Sequence, residues 1–122
     1  HLVHLGSFAK GGFGLVMMEA TGVTPEGRIS TNCPGLYSDE SATALKPIVE
    51  FVHSQKAAIG IQLAHAGRKG STTRPWDDHQ IASKDEGGWE TLAPSAIAFH
   101  NMPTPRALSK NEIMEILILR IH

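Results

Sequence analysis

Apolar residues recur along this chain in two spacings, one helical and one extended. Leu2, Leu5 and Phe8 lie three residues apart, which places them on one face of a helix. The spacing predicts a helix over residues 1–10, and Gly11 behind it is a typical stop signal.

Two further helices are predicted by the same spacing and by local start signals. Residues 39–55 carry an apolar stripe, and Pro47 inside this segment predicts a kink or a short separate first turn. Ser109 followed by Glu112 has the pattern of a capping box, which predicts the start of a third helix. The stripe of the second helix consists of Leu45, Ile48, Val49 and Val52.

Nearly continuous apolar runs over residues 13–20 and 57–64 predict two strands, each buried on both faces. The resulting order is helix, strand, helix, strand and a third helix. This alternation indicates an α/β fold with a parallel sheet and right-handed crossovers.

The connection between the second strand and the third helix, residues 66–108, is far longer than the ~2–6 residues usual for such a loop. Within it, residues 92–99 are predicted to form a short extended piece. Trp76 and Trp89 are expected to pack the loop onto its own scaffold rather than to cover a ligand. Since ligands bind at the carboxyl ends of parallel strands, a long loop at this position indicates function.

Composition indicates which partners the chain can bind and in which compartment it is expected. The chain has 122 residues, of which 41% are hydrophobic and 19% charged, and its formal net charge is −1. This balance gives no reason to expect nucleic acid or an acidic membrane surface as a partner. No apolar run approaches the ~20 residues of a membrane span. A single cysteine, Cys33, excludes an internal disulfide, so a reducing, cytoplasmic compartment is the default expectation.

Both ends of the chain predict an incomplete domain. The chain begins within a predicted helix and ends soon after another helix has started. Its final segment, residues 116–122, is apolar nearly all round, so we expect it to expose an aggregating surface. We therefore expect residues 1–122 to be one partial domain that is incomplete at both ends.

Gln62 is the lone amide in the run that predicts the second strand. A buried amide without hydrogen-bond partners costs about 1–3 kcal/mol, so this side chain needs partners. Its donors and acceptor suit an imide-like group such as the pyrimidine edge of a flavin. The alternative is a glutamine that bonds only neighbouring backbone or water, and the residue by itself favours that alternative.

Three basic or ionisable side chains, His65, Arg68 and Lys69, follow this strand. Together they could bind an anion or hold a carboxylate. For Arg68 and Lys69 a structural role is at least as well supported, with Arg68 tying down its own loop through hydrogen bonds to carbonyls.

Glu19 and Ala20 end the first predicted strand. The small side chain of Ala20 would let a planar ring approach the backbone, although simple packing explains it better unless other residues support a ligand. Glu19 would need a partner for its charge, and Arg28 and Arg68 are the candidates.

Other candidate sites fail on context. The glycines of residues 11–14 precede a strand, whereas a dinucleotide-binding motif follows one. His1 and His4 have helical spacing but no third ligand, so we expect no metal site. Cys33 has no evident base beside it and is predicted to be inert.

Several stretches of the chain combine into a specific set. They are Gly14–Arg28 (GLVMMEATGVTPEGR), Tyr37–Glu40 (YSDE), Gly60–Lys69 (GIQLAHAGRK), and Ala93–Ala98 (APSAIA) with the later Thr104–Arg106 (TPR). Together they resemble the old yellow enzyme family of flavin oxidoreductases, in its bacterial-type NADPH dehydrogenase branch. The resemblance covers about residues 1–115, and EATGVTPEGR together with GIQLAHAGRK is highly specific.

The resemblance implies a (β/α)8 TIM barrel that binds FMN at the carboxyl ends of its strands and reduces activated alkenes, such as enones, with NAD(P)H. This chain would supply about strands two and three, the helix between them, the long loop and the start of the next helix. Ala20 matches a position that lies against the flavin, and Gln62 one that hydrogen-bonds its pyrimidine edge. His65 and Arg68 match positions with mainly structural roles.

The resemblance also implies that the residues that bind the substrate carbonyl, donate the proton and hold the phosphate lie outside residues 1–122. No catalytic residue is therefore expected in this chain. Three hypotheses stay open: part of an FMN-dependent ene-reductase that is active only in a full-length parent, a non-catalytic product that is unstable or needs another chain to fold, or part of a related FMN barrel such as a dienoyl-CoA reductase. The substrate, the choice between NADH and NADPH, and the oligomeric state are not predicted.

Overall fold

A computed structural model describes residues 1–78 and 80–118 of the chain. Its elements follow the predicted alternation of helices and strands. They are helix α1 (Leu2–Lys10), strand β1 (Leu15–Gly22), helix α2 (Asp39–Ser54), strand β2 (Ala58–Ala64), strands β3 (Leu92–Ala93) and β4 (Arg106–Ala107), and helix α3 (Lys110–Ile118).

Strands β1 and β2 pair in parallel and are joined through α2, which makes a βαβ unit. The register runs from Leu15 opposite Ala58 to Gly22 opposite Ala64. Helices α1 and α2 pack against each other and against the sheet, and the buried core lies between these layers. The core consists of Leu5, Ala9, Val16, Met18, Ile48, Val52 and Ala57.

Helix α2 begins at a capping box. The hydroxyl of Ser38 accepts the N–H of Ser41, and the hydroxyl of Ser41 accepts the N–H of Ser38 at 3.0 Å. The helix then continues through Pro47 to Ser54 without interruption. It therefore has no separate first turn of the kind that Pro47 predicts. Pro47 is exposed, and its ring faces solvent while the buried side chain of Val52 ties the helix to the core.

The two faces of the β1–β2 sheet differ in burial. Val16 and Met18 are buried against the helices, whereas Leu15 and Met17 on the opposite face are each 56% exposed. The prediction that both strands are buried on both faces is therefore wrong. Within the described residues, the helices cover one face of the sheet only, and the other face, which we call the open face, is left to solvent.

The long connection is anchored to the βαβ unit at several points. Trp89 donates from Nε1 to the carbonyl of Glu26 at 2.9 Å, as expected of a tryptophan that packs the loop. The same expectation is wrong for Trp76, which is 76% exposed. The extended piece predicted over residues 92–99 is confined to β3, which pairs in parallel with β4.

Helix α3 starts at the predicted capping box. The N–H of Ser109 donates to Glu112 Oε2 at 2.8 Å, and the N–H of Glu112 donates to Ser109 Oγ at 3.3 Å. The last four residues of the predicted apolar tail, 119–122, lie outside the described residues. Across the described part of the chain, no helix has the length and apolar character needed to cross a membrane.

Candidate functional site

Ala20 and Gln62 are register partners on the two neighbouring strands. Each is the third residue from the carboxyl end of its strand. Because paired strands lie about 4.8 Å apart, the two side chains are immediate neighbours. The structure thus brings together the two residues that the sequence singled out.

Both side chains belong to the open face of the sheet. Ile61 packs with the core, so Gln62, the next residue on β2, points to the opposite face, and Ala20 shares that face as its register partner. Gln62 is exposed, which makes the predicted burial of its amide wrong. The amide is exposed because no described residue covers the face to which it points.

Met17 and Gly60 extend the same surface towards the start of the strands, and sequence reasoning missed them. They are register partners, and a β-carbon at Gly60 would collide with the sulfur and methyl groups of Met17. Met17 therefore lies across Gly60, next to the Ala20–Gln62 pair. A glycine inside a strand is the signal that could have found this contact, because it often marks a close approach.

The ladder between β1 and β2 is irregular just before Ala20. Met18 pairs with Ile61, and Ala20 pairs with Gln62, so Glu19 is an extra residue in β1. This is a β-bulge, in which two residues of one strand oppose one of the other. Nothing in the hydrophobic pattern of the sequence marks it.

Glu19 does not pair with either of the arginines proposed for it. Its carboxylate contacts His1 Nε2 at 2.6 Å. Arg28 instead donates to the carbonyls of Pro25 and Thr31. The prediction that Arg28 pairs with Glu19 is wrong because the turn after β1 places two carbonyl acceptors three residues from Arg28 in sequence.

The side chains that follow β2 are directed into the long connection. Arg68 Nη1 donates to the carbonyls of Ile97 and Ala98 at 3.2 and 3.5 Å. Lys69 Nζ lies 4.2 Å from the centre of the Phe99 ring. The structural role proposed for Arg68 is confirmed, and Lys69 is engaged on the same segment of the loop.

His65 supports the turn that leaves β2. Its Nδ1 accepts the N–H of Gly67 at 3.1 Å, and the ring lies against Gly27, where an added β-carbon would come within 3.0 Å of it. His65 and Arg68 therefore hold the connection in place, and Lys69 contacts the Phe99 ring of the same connection.

The described ranges 1–78 and 80–118 hold no metal cluster, and their wide cavity lies away from the paired residues. No three His, Cys, Asp or Glu side chains there are grouped as a metal site would require. A wide cavity opens within the long connection, between Lys69, Arg74 and Asn101, but neither Ala20 nor Gln62 lines it.

Chemically, the open face places a small apolar side chain next to a polar one. Ala20 carries only a methyl group, which lets a planar ring lie close to the strand. The exposed amide of Gln62 presents both a donor and an acceptor beside it. Both properties fit the pyrimidine side of a flavin.

Comparison with known proteins identifies the family. The sequence model of the NADH:flavin oxidoreductase / NADH oxidase family matches residues 3–118. An NADH:flavin oxidoreductase of Gibberella zeae is 46% identical over 121 residues, which cover 95% of this chain and 29% of the relative. An NADPH dehydrogenase of Clostridium acetobutylicum is 41% identical over 119 residues, which cover 97% of this chain and 31% of the relative.

A solved structure shows the same fold. Morphinone reductase in complex with tetrahydroNAD matches with a TM-score of 0.72 at 28% identity, over 98% of this chain and 34% of that one. The chain thus spans about a third of the length of the proteins it matches, and its βαβ unit is a piece of a TIM barrel. The cofactor of this family is FMN, and NAD(P)H is a substrate. The chain belongs to the NADH:flavin oxidoreductase / NADH oxidase family, the old yellow enzyme family that its motifs predict.

Proposed function

We propose that this chain forms one wall of the flavin site of an FMN-dependent enzyme that reduces activated alkenes, such as enones, with NAD(P)H. The observation that supports this most is the direct pairing of Ala20 with Gln62 on the open face of the sheet. When bound, FMN supplies hydride transfer between the nicotinamide and the alkene. We assign the activity to a longer parent protein in which these 122 residues are a partial domain, because the chain spans only 29% and 31% of the length of two relatives.

In this proposal each residue of the wall has a separate task. Ala20 leaves room for the ring to lie against β1. The amide of Gln62 hydrogen-bonds the pyrimidine edge and so fixes the orientation of the ring in its plane. Met17, held across Gly60, adds apolar surface beside them.

A graft into a full-length relative tests the proposal. Residues 3–118 would replace the matching segment of the Clostridium acetobutylicum NADPH dehydrogenase, to which the chain is 41% identical. We expect the graft to bind FMN and to oxidise NADPH in the presence of 2-cyclohexenone. FMN content per polypeptide and the FMN dissociation constant are measured along with the reaction.

Two substitutions in the graft examine the wall itself. Gln62→Leu is expected to weaken FMN binding about tenfold, as loss of a ligand hydrogen bond does, and Ala20→Leu to weaken it more by blocking the ring. Val3→Leu, on the 87% exposed surface of α1, is the matched control and should leave FMN binding unchanged. A folded graft without flavin, or undiminished binding in both wall variants, would contradict the proposal.

The non-catalytic hypothesis rests on a specific observation. A two-stranded sheet with Leu15 and Met17 both 56% exposed buries little apolar surface and leaves its edges open. A chain of this kind is expected to need further strands before it retains flavin. If residues 1–122 expressed by themselves give a yellow, soluble monomer, the proposal of a partial domain is wrong.

A further inference from the structure

The position of Ala20 depends on the bulge at Glu19, and one buried hydroxyl is bonded to that bulge. We propose that Thr21 is a positioning residue of the flavin wall, because its hydroxyl holds the bulge that keeps Ala20 beside Gln62. The inference rests on the proposed function of Ala20 and Gln62. It assigns a role to a residue that does not itself lie on the open face.

A regular strand would place Ala20 on the wrong side of the sheet. Residues two apart in a strand share a face, and Val16 and Met18 both face the helices. Without a bulge, Ala20 would follow Met18 onto that face, and Glu19 would take the place opposite Gln62. A carboxylate would then stand on the open face where the methyl group of Ala20 now lies.

The bulge prevents this arrangement by absorbing one residue. After the register shift, Ala20 pairs with Gln62 and Thr21 pairs with Leu63. By strand alternation Thr21 then falls on the side opposite Ala20, and its side chain is fully buried. The one-residue shift therefore exchanges the faces of Ala20 and Thr21 relative to an unbroken ladder.

The hydroxyl of Thr21 stabilises the bulge directly. A bulge leaves its extra residue outside the regular ladder, so the backbone groups of Glu19 need partners from elsewhere. Thr21 Oγ1 donates to the carbonyl of Glu19 at 2.9 Å. A buried hydroxyl also needs a partner, so this single bond satisfies two groups at once.

The side chain of Glu19 makes a second, weaker contact. Its carboxylate meets His1, but the two side chains are 50% and 40% exposed, and solvent screens such pairs. The branched side chain of Thr21 is restricted at its first torsion angle, so burial fixes where the hydroxyl points. The partly buried bond from Thr21 is therefore the better determinant of the local register.

The test uses the graft described above and variants at position 21. Thr21→Val keeps the shape of the side chain and removes the hydroxyl, and Thr21→Ser keeps the hydroxyl. We expect Thr21→Val to raise the FMN dissociation constant about five- to tenfold and to shift the visible absorption band of the bound flavin, whereas Thr21→Ser stays within about twofold of the parent. Thr43→Val, on the exposed surface of α2, is the matched control.

Deletion of Glu19 separates positioning from general stability. The ladder then becomes regular and still pairs Ala20 with Gln62, so no bulge remains for the hydroxyl to hold. In this background Thr21→Val should leave the FMN dissociation constant unchanged. Comparing the effect of Thr21→Val with and without Glu19 is a double-mutant cycle that measures this coupling. If Thr21→Val alone does not fold, restored folding in the deletion background supports the inference, and continued failure there overturns it.

The outcomes also separate this inference from the proposed function. If Thr21→Val binds FMN as tightly as the parent, or loses the same factor in both backgrounds, Thr21 has no positioning role, whatever Ala20→Leu and Gln62→Leu show. If those two variants bind FMN like the parent, the flavin wall itself is wrong.

Discussion

Two valines on the helices differ almost completely in exposure. Val52 of α2 is fully buried in the core, whereas Val3 of α1 is 87% exposed. Val52→Ala is therefore expected to lower the free energy of unfolding by about 1–3 kcal/mol, because it removes two buried methyl groups and leaves a cavity.

Val3→Ala makes the same chemical change on the surface and should alter the free energy of unfolding by less than ~0.5 kcal/mol. Urea denaturation followed by circular dichroism measures both. Equal losses in the two variants would show that the core between α1, α2 and the sheet is not packed as described.

Some residue-level features could be predicted from the sequence and others could not. Arg68 was expected to bond loop carbonyls, and it does, because a guanidinium at the start of a long loop has many carbonyls within reach. The prediction of an arginine partner for Glu19 is wrong. Its contact is His1, which lies 18 residues earlier in the chain, before helix α1. The exposure of Gln62 depends on which neighbours cover a face, which an apolar run does not reveal.

At the scale of elements, the start of α3 depends on a small charged cluster. Arg106 Nη2 donates to Glu112 Oε1 at 2.8 Å, and Ser109 donates its N–H to the other carboxylate oxygen. The hydrogen bond from Arg106, followed by those from Ser109, lowers the pKa of Glu112 from the ordinary 4.5 to about 2.

This shift predicts how the start of α3 responds to acid. Because the pKa of Glu112 is lower in the folded state, its stabilising effect is present above pH 4.5 and is lost as pH falls towards 2. Carboxyl NMR titration should give a midpoint near 2 for Glu112, and Arg106→Gln should raise it towards 4.5. An unchanged midpoint in Arg106→Gln would exclude the arginine as the main cause.

The main helices and strands could be predicted because each is long enough to show its own pattern of apolar residues. Helices α1 and α2 and strands β1 and β2 fall within one or two residues of their predicted ends. The bulge at Glu19 escaped prediction because a single charged residue near the end of an apolar run does not show that the ladder shifts there. The pairing of β3 with β4 escaped it because each is two residues long and has no period of its own.

At the scale of the whole molecule, the open face decides how the 122-residue chain behaves by itself. Leu15 and Met17 add apolar surface to a sheet that has unpaired edges, a combination that favours self-association. Met17→Lys is expected to reduce the associated fraction in sedimentation velocity experiments.

Val3→Lys, an equally drastic change on the exposed surface of α1, is the control and should leave association unchanged. If both lysine variants reduce association to the same extent, net charge rather than the open face is responsible. The family resemblance predicted the barrel to which this face belongs, and the sequence pattern by itself indicated only a parallel α/β unit.

The bonds from Arg68 to Ile97 and Ala98 join positions 29 and 30 residues apart. They close the intervening chain into a tethered loop whose two ends are fixed next to the end of β2. For such a loop the entropy of closure grows only with the logarithm of length, about 0.6 kcal/mol for each doubling. Evolution can therefore change the length of the stretches between the anchor points of this loop at little cost to the strands, provided that the arginine, its two carbonyls and the bond from Trp89 to Glu26 remain.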